Sequence, residues 1–180
     1  MATRPYRGIE PTLGPGAWID ETALVIGDVE LGENASVWPV VLIRGDVNRI
    51  RIGARTNVQD SSIIHVSRPF PGNDAGWATL LGDDVVIGHK VALHGCRIAD
   101  RVLVGIGAIV LDGVEVESDV IIGAGSVVTP GKKLESGFLY VGNPARRSRP
   151  LTPQEIARIP KMSRDYVLLK DEYAASAPRS

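Results

Sequence analysis

From Ile19 onward an apolar residue returns at every sixth position: Ile19, Val25, Leu31, Val37, Ile43. The beat resumes at Ile52, Val58 and Ile64, again at Leu81, Ile87 and Leu93, and runs on from Val104 through Val110, Val116, Ile122, Val128 and Leu134 to Tyr140. A period of six suits neither the 3.6-residue helix nor the two-residue alternation of a flat sheet. It marks a hexapeptide solenoid, in which each hexapeptide supplies one short strand and one corner. Three hexapeptides close a triangular coil of about 18 residues, with the beat residue pointing inward. Glycines such as Gly53, Gly88 and Gly123, each just after a beat residue, suit the corners.

Departures from the beat divide the chain. Residues 1–16 carry Pro5, Pro11 and Pro15 and read as an irregular lead-in that covers the open end of the first coil. The coil body spans 17–150. Its beat slips at Arg44-Gly45-Asp46, and an inserted loop at 66–78 holds Pro69, Pro71, Gly72, Asn73 and Gly76. Phe70 and Trp77 on this loop are expected to pack on a neighbour or to shape a pocket mouth. Thr152-Pro153-Gln154-Glu155 signals a helix start. The C-terminal helix is therefore placed over 151–175, broken or kinked at Pro160, with 176–180 as a fraying tail.

The beat gives meaning to the three histidines. His65 follows Ile64 and His94 follows Leu93, so both occupy the same slot of a repeat. They lie 29 positions apart, and an insertion of 11 residues between Ile64 and Leu81 leaves one coil of 18. His94 should therefore stack on His65, roughly 4.8 Å away along the axis. His89, five residues before His94, is separated from it by about 16 Å of extended chain, close to one whole side of the triangle. A zinc ion needs each imidazole nitrogen at about 2.0–2.1 Å, which His89 of the same chain cannot supply. His89 of a neighbour can. The count thus points to a metal site shared between subunits, and a homotrimer is the simplest ring that repeats it. Zinc is the first expectation, with ferrous iron or cobalt as alternatives, because imidazole suits several metals.

Other polar residues cluster on the coils leading to the histidines. Arg44 can pair with Asp46 or Asp60, and Gln59 or Asn57 can orient a metal-bound water. The 20 basic and 21 acidic residues give a net charge of −1, spread along 180 residues, which argues for one domain and against nucleic acid or an anionic membrane as partner. The longest apolar run, Val102 to Leu111, is too short to span a bilayer. The first residues lack the apolar core of a signal peptide, so the expected compartment is the cytoplasm. The single cysteine, Cys96, excludes an internal disulfide and reads as a small buried hydrophobe rather than a nucleophile.

Taken together, Ile43-Arg44-Gly45-Asp46, Asn57-Val58-Gln59-Asp60, Ile64-His65, the stretch Gly88-His89 through Leu93-His94-Gly95-Cys96, and Tyr140-Val141-Gly142-Asn143-Pro144 resemble the gamma-class carbonic anhydrases. The match covers nearly the whole chain. It implies an all-β solenoid, a left-handed parallel β-helix with a C-terminal α-helix, assembled as a homotrimer with three interfacial metal sites. It also implies His65 and His94 from one subunit and His89 from the next, with an intersubunit ion pair between Arg44 and Asp60 supported by Asp46. Gln59 and Asn57 line the site, and Tyr166 on the helix is the match to a tyrosine near the metal. The implied reaction is hydration of carbon dioxide to bicarbonate by a metal-bound hydroxide. Where the archaeal prototype of the class carries shuttle glutamates, this chain has Val47 after Asp46, and its 66–78 loop offers only Asp74. Protons are then expected to leave through water, buffer or Tyr166. Two other classes compete: an acyltransferase or acyl-coenzyme A thioesterase, which hexapeptide solenoids often host, and a non-catalytic metal-bearing structural trimer.

Overall fold

A computed structural model describes residues 2–176. Its body is a left-handed β-helix of hexapeptide coils. The beat residues line its interior: Val25, Val37, Ile43, Val58, Ile64, Ile87, Leu93, Val104, Val110 and Ile122 are all buried. Each such burial contributes about 1.5–3 kcal/mol, so a stack of branched side chains replaces the layered core of an ordinary domain.

Three parallel faces follow. The first carries Ile63–His65, Ala92–His94, Ile109–Val110 and Val127–Val128 in register. The second carries Thr79–Leu81, Arg97–Ile98, Glu115–Val116 and Lys133–Leu134. The third runs from Trp18–Ile19 through Ser36–Val37, Asn57–Val58, Val86–Ile87, Leu103–Val104 and Ile121–Ile122 to Phe138–Gly142. Leu24–Leu31 and Leu42–Ile52 are long strands that pair with the first face at one end and the second at the other. The slip of the beat at Arg44-Gly45-Asp46 is therefore no interruption: the strand continues through it to Ile50 and Ile52, both buried.

Outward positions differ from face to face, because alternate side chains of a strand leave on opposite sides. On the first face this slot reads Leu24, Leu42, Ile63, Ala92, Ile109, Val127. On the second it reads Thr12, Glu30, Arg51, Leu80, Arg97, Glu115, Lys133. On the third, Trp18, Ser36, Asn57 and Val86 lead to Leu103 and Ile121. The second face is built for water, and the third lies under the helix. The first face is apolar and, within one chain, uncovered: Ile63 is 50% and Ile109 37% exposed.

The lead-in is more ordered than its prolines suggest. Thr3–Arg4 and Thr12–Leu13 each pair with Leu24–Leu31, which covers the first coil's edge as expected. At the other end, Ala145–Pro150 returns antiparallel on Phe138–Gly142, a hairpin the repeat pattern does not announce. Several corners are held by non-glycine residues at positive φ, among them Arg55 (57°), Asp84 (56°), Arg101 (54°) and Asp119 (59°). Bidentate pairs stitch these corners coil to coil, Arg55 to Asp84 at 2.8 and 2.7 Å and Arg101 to Asp119 at 2.8 and 2.9 Å.

The helix, Pro153–Ser176, starts with a reciprocal capping box: Glu155 N–H donates to Thr152 Oγ1 (3.2 Å) and Thr152 N–H to Glu155 Oε2 (2.8 Å). The expected break at Pro160 is absent, and the helix runs through it. Proline removes one bond, to the Ile156 carbonyl, whereas tertiary packing holds both sides of it. Ile159 and Ser163 are buried, and Ser163 Oγ donates to the Arg55 carbonyl at 2.7 Å and lies 3.0 Å from Asp84 Oδ1. Farther along, Tyr166 and Tyr173 pack edge-on against Trp38, with ring centroids 5.3 and 5.1 Å apart. Residues 177–180, the rest of the expected fraying tail, lie outside the described residues. No described helix is long and apolar enough to cross a membrane.

Hydrogen bonding from Arg55, opposed by burial and aided by Ser163 and the Arg55 charge, holds the Asp84 carboxyl below its ordinary range. A depressed folded-state pKa contributes stability above the unfolded value, about 3.9, and that stability is lost as pH falls through the folded value. Asp84→Asn should therefore melt at a lower temperature than wild type at pH 7, with the two curves converging as the pH is taken below 4. Thermal unfolding followed at 222 nm checks it; a gap that persists at low pH would show that the carboxylate charge is not what holds the helix.

Candidate metal centre

The stacking expected from the coil count is present. His65 and His94 are register partners on the first face, and His65 Nδ1 lies 3.1 Å from His94 Nε2. Two nitrogens bound to one tetrahedral metal at about 2.0–2.1 Å stand roughly 3.3 Å apart, so the pair is spaced for a shared ion.

The opposite nitrogen of each ring faces a carboxylate. His65 Nε2 lies 2.9 Å from Asp46 Oδ1, and His94 Nδ1 lies 2.7 Å from Asp112 Oδ1. A carboxylate only accepts, so each of these nitrogens carries the proton. In the neutral rings His65 Nδ1 and His94 Nε2 then turn lone pairs toward each other, an arrangement that a cation between them stabilises. Burial, reinforced by the Arg44 charge and opposed by the bond to Asp46, holds the His65 imidazole below its ordinary range and thus neutral at pH 7. Desolvation raises Asp46, but hydrogen bonds from His65 and Arg44 outweigh it and leave the carboxyl below its usual range.

His89 stands in the corner between the third and first faces, five residues before His94. Its Nδ1 lies 2.9 Å from Asp60 Oδ2, which leaves Nε2 free. All three histidines thus show one pattern, a carboxylate on one nitrogen and the other nitrogen turned away from it, the usual preparation of a metal-ligating imidazole. Among the described residues, no three His, Cys, Asp or Glu side chains of a single chain converge on one point.

The other expected site residues divide into two groups. Arg44 pairs with Asp46 beside His65, while Asp60 sits with His89. Within one chain, then, Arg44 and Asp60 belong to different corners. Asn57 and Gln59 lie on the third face next to Asp60, both buried, with Gln59 Nε2 donating to Asn57 Oδ1 at 3.0 Å. Asn57 Nδ2 is buried without a partner. Burial and the Asp60 charge push the Tyr166 phenol up, which places it near the same corner. Phe70 lines a cleft of about 280 Å³ with Arg44, Asp46, Val47, His65 and Arg68. Trp77 instead packs over Gly95 and Gly113. Sequence reasoning missed Asp112, although its position one coil after His94 was a signal that the beat could have supplied.

A hexapeptide-repeat model described as "Bacterial transferase hexapeptide (six repeats)" matches residues 95–130. Protein YrdA of Escherichia coli (strain K12) is 51% identical over 170 residues, covering 94% of this chain and 92% of that protein. A carbonic anhydrase of Geobacillus kaustophilus (strain HTA426) is 42% identical over 171 residues, covering 95% of this chain and 90% of its own length. This chain belongs to the gamma carbonic anhydrase family. A crystal structure of a putative acetyltransferase from Bacillus cereus superposes with a TM-score of 0.90 at 36% identity, covering 97% of this chain and 98% of that one. The carbonic anhydrase relatives support a lyase-type enzyme, while a structure this similar carries a transferase name.

Cys96, two residues from His94, is not poised as a nucleophile. It is buried in the core, and burial, with the Asp112 charge, pushes its thiol up to about 12. Only a thiolate attacks. Iodoacetamide at pH 8 should leave the native family member unmodified and label it fully in denaturant, as read by intact mass. Rapid native labelling would mean that the corner around Cys96 opens.

Proposed function

We propose that this protein is a metal-dependent carbonic anhydrase that works as a homotrimer, each site taking His65 and His94 from one chain and His89 from the next. The observation that carries the reading is the matched preparation of the three imidazoles, each held by an aspartate and each left with one free nitrogen. The apolar outward slot of the first face supports the assembly, because the histidine pair and His89 flank this face at its two edges. A neighbour covering Ile63 and Ile109 also brings the complementary histidines together.

When bound, a divalent metal with three neutral imidazoles supplies an open position and lowers the pKa of its water to about 7. The chain's own contribution is orientation. Gln59 Nε2 is committed to Asn57, which leaves Gln59 Oε1 to accept a hydrogen bond from the reacting water and Asn57 Nδ2 to donate to a substrate oxygen. The Tyr166 phenol, held above its ordinary range, stays protonated and serves as a donor. Carbon dioxide and water become bicarbonate and one proton. Val47 packs on the core, and the one acid lining the histidine cleft, Asp46, is occupied by Arg44 and His65. Among the described residues that line that cleft, no carboxylate is left free to carry the proton out.

Replacing His89 by Ala should strip zinc, or ferrous iron under anaerobic loading, as completely as His65→Ala does. Metal content by mass spectrometry checks this, and a His89→Ala protein that keeps its metal would make the site intrachain.

Steady-state carbon dioxide hydration should climb with the concentration of a small buffer such as imidazole, since proton release limits turnover. Gln59→Ala should lower the rate at every buffer concentration, by on the order of tenfold. No hydration with zinc or ferrous iron at any buffer concentration would discard this reading in favour of a structural trimer or an acyl-coenzyme A enzyme.

A further inference from the structure

The 66–78 insertion breaks the coil one residue after His65 and rejoins it at Thr79, and both of its ends grip the histidine strands. Thr79 Oγ1 donates to the His65 carbonyl at 2.6 Å and accepts from the Gly95 N–H at 3.0 Å. The two limbs pair with each other, Ser67 N–H to the Trp77 carbonyl at 2.9 Å and Trp77 N–H to the Ser67 carbonyl at 3.1 Å. Asn48 Nδ2 ties them from below, donating to the carbonyls of Ser67 (3.1 Å) and Ala75 (2.9 Å). Such a cross-linked loop is a rigid part, not a lid.

One polar side chain of this part reaches toward the site. Ser67 Oγ donates to Asp112 Oδ2 at 2.9 Å, while Asp112 Oδ1 accepts from His94 Nδ1 at 2.7 Å. Both carboxylate oxygens are thus committed, one to the loop and one to the histidine. The close approach is possible because Gly95, at φ +58°, has no side chain: a Cβ there would collide with Asp112 Oδ1 and come within 2.6 Å of Trp77 Cβ. Trp77 also covers Gly113, where a Cβ would meet its ring at 3.0 Å. The indole therefore closes over the backbone on both sides of the Asp112–His94 contact.

We infer that the inserted loop is a positioning brace: Ser67 fixes the Asp112 carboxylate, which in turn holds His94 in its Nδ1–H tautomer with Nε2 aimed toward His65 Nδ1. Asp112 and Ser67 are positioning residues, since neither reaches the lone-pair side of either ring. A free imidazole exchanges tautomers and rotates; each alternative withdraws Nε2 from the pair. The brace removes those alternatives before any ligand arrives, so its worth is read as affinity. This inference rests on the metal reading proposed above.

The test uses the full chain as wild type, Asp112→Ala, Asp112→Asn and Ser67→Ala, each with its melting temperature recorded. Imidazole nitrogen NMR of the metal-free proteins at pH 8 reads the His94 tautomer, and competition with a chromophoric chelator reads zinc affinity. Wild type should show His94 protonated at Nδ1. Asp112→Ala should lose that preference and bind zinc about 10- to 100-fold more weakly. Asp112→Asn, whose amide oxygen still accepts, should recover part of both. Ser67→Ala should keep the preference but weaken affinity severalfold. Unchanged tautomer and affinity in Asp112→Ala would overturn the inference, as would a Ser67→Ala protein that binds zinc like wild type. A wild type that binds no zinc but shows an Asp112-dependent tautomer would sink the metal reading and leave the orienting relay standing.

Discussion

A parallel coil places each residue directly over the one a full turn earlier, and several of the specific contacts in this protein obey that offset. His94 over His65, His89 over Asp60 and Asp84 over Arg55 are each separated by 29 positions, while Asp119 over Arg101 is separated by 18. The difference is the inserted loop, counted once. Backbone pairing fixes the vertical spacing near 4.8 Å, so side chains in one slot are neighbours whatever their chemistry. The fold can then stack His65 and His94 simply by choosing what stands in that slot, and Asp46 and Asp112, just beyond the slot on the coils to either side, reach back to the far nitrogens of the two rings. The cost is that chemistry reaches only along a column. Groups on different edges of the prism, such as His65 and His89, cannot meet within one chain.

The same offset explains the surface. The interior slot is uniformly branched and apolar, so the outward slots alone distinguish the faces. Charged side chains on the second face keep a strand surface in water, and the aromatic and aliphatic residues of the third face receive the helix. The first face repeats aliphatic residues from Leu24 to Val127, and among the described residues Ile63 and Ile109 on it stay exposed. Each end of the solenoid is covered in part, with Trp18–Ile19, Val127–Val128 and Lys133–Leu134 remaining as edge strands. Thr3–Arg4 and Thr12–Leu13 cap one, and the arginine-rich Ala145–Pro150 closes the other with charged side chains that discourage further strand pairing.

Legibility in the sequence followed the range of the physics involved. The beat, the coil length and the stacking of His94 on His65 were readable because, from Val25 onward, one residue in six is buried along the core. The insertion was readable as a gap in that count. Two-residue strands such as Thr3–Arg4 carry no alternation to detect, and Ala145–Pro150 has the composition of a loop; its strand character comes from pairing with Phe138–Gly142 and from Arg147 meeting Glu135. Pro160 does not break the helix, because local propensity lost to the burial of Ile159 and Ser163. Asp112 was under-read for the opposite reason. An aspartate in a corner looks like turn chemistry, and only its contact with His94 from the next coil gives it another meaning.

On the proposed assembly, sharing of the site has a thermodynamic consequence. Each chain carries a two-nitrogen half-site at one edge of its first face and a one-nitrogen half-site at the other, so the contact between chains is head-to-tail. An open pair of chains completes one site and leaves two half-sites unmatched; closing the ring with a third chain completes all three. Metal that binds the complete site and not the halves stabilises the closed ring by mass action. The apolar stripe then holds chains together without direction, while the histidines set the register at which they meet. Ligation and assembly become one equilibrium, and the aspartates that orient each imidazole in advance lower the cost of reaching it.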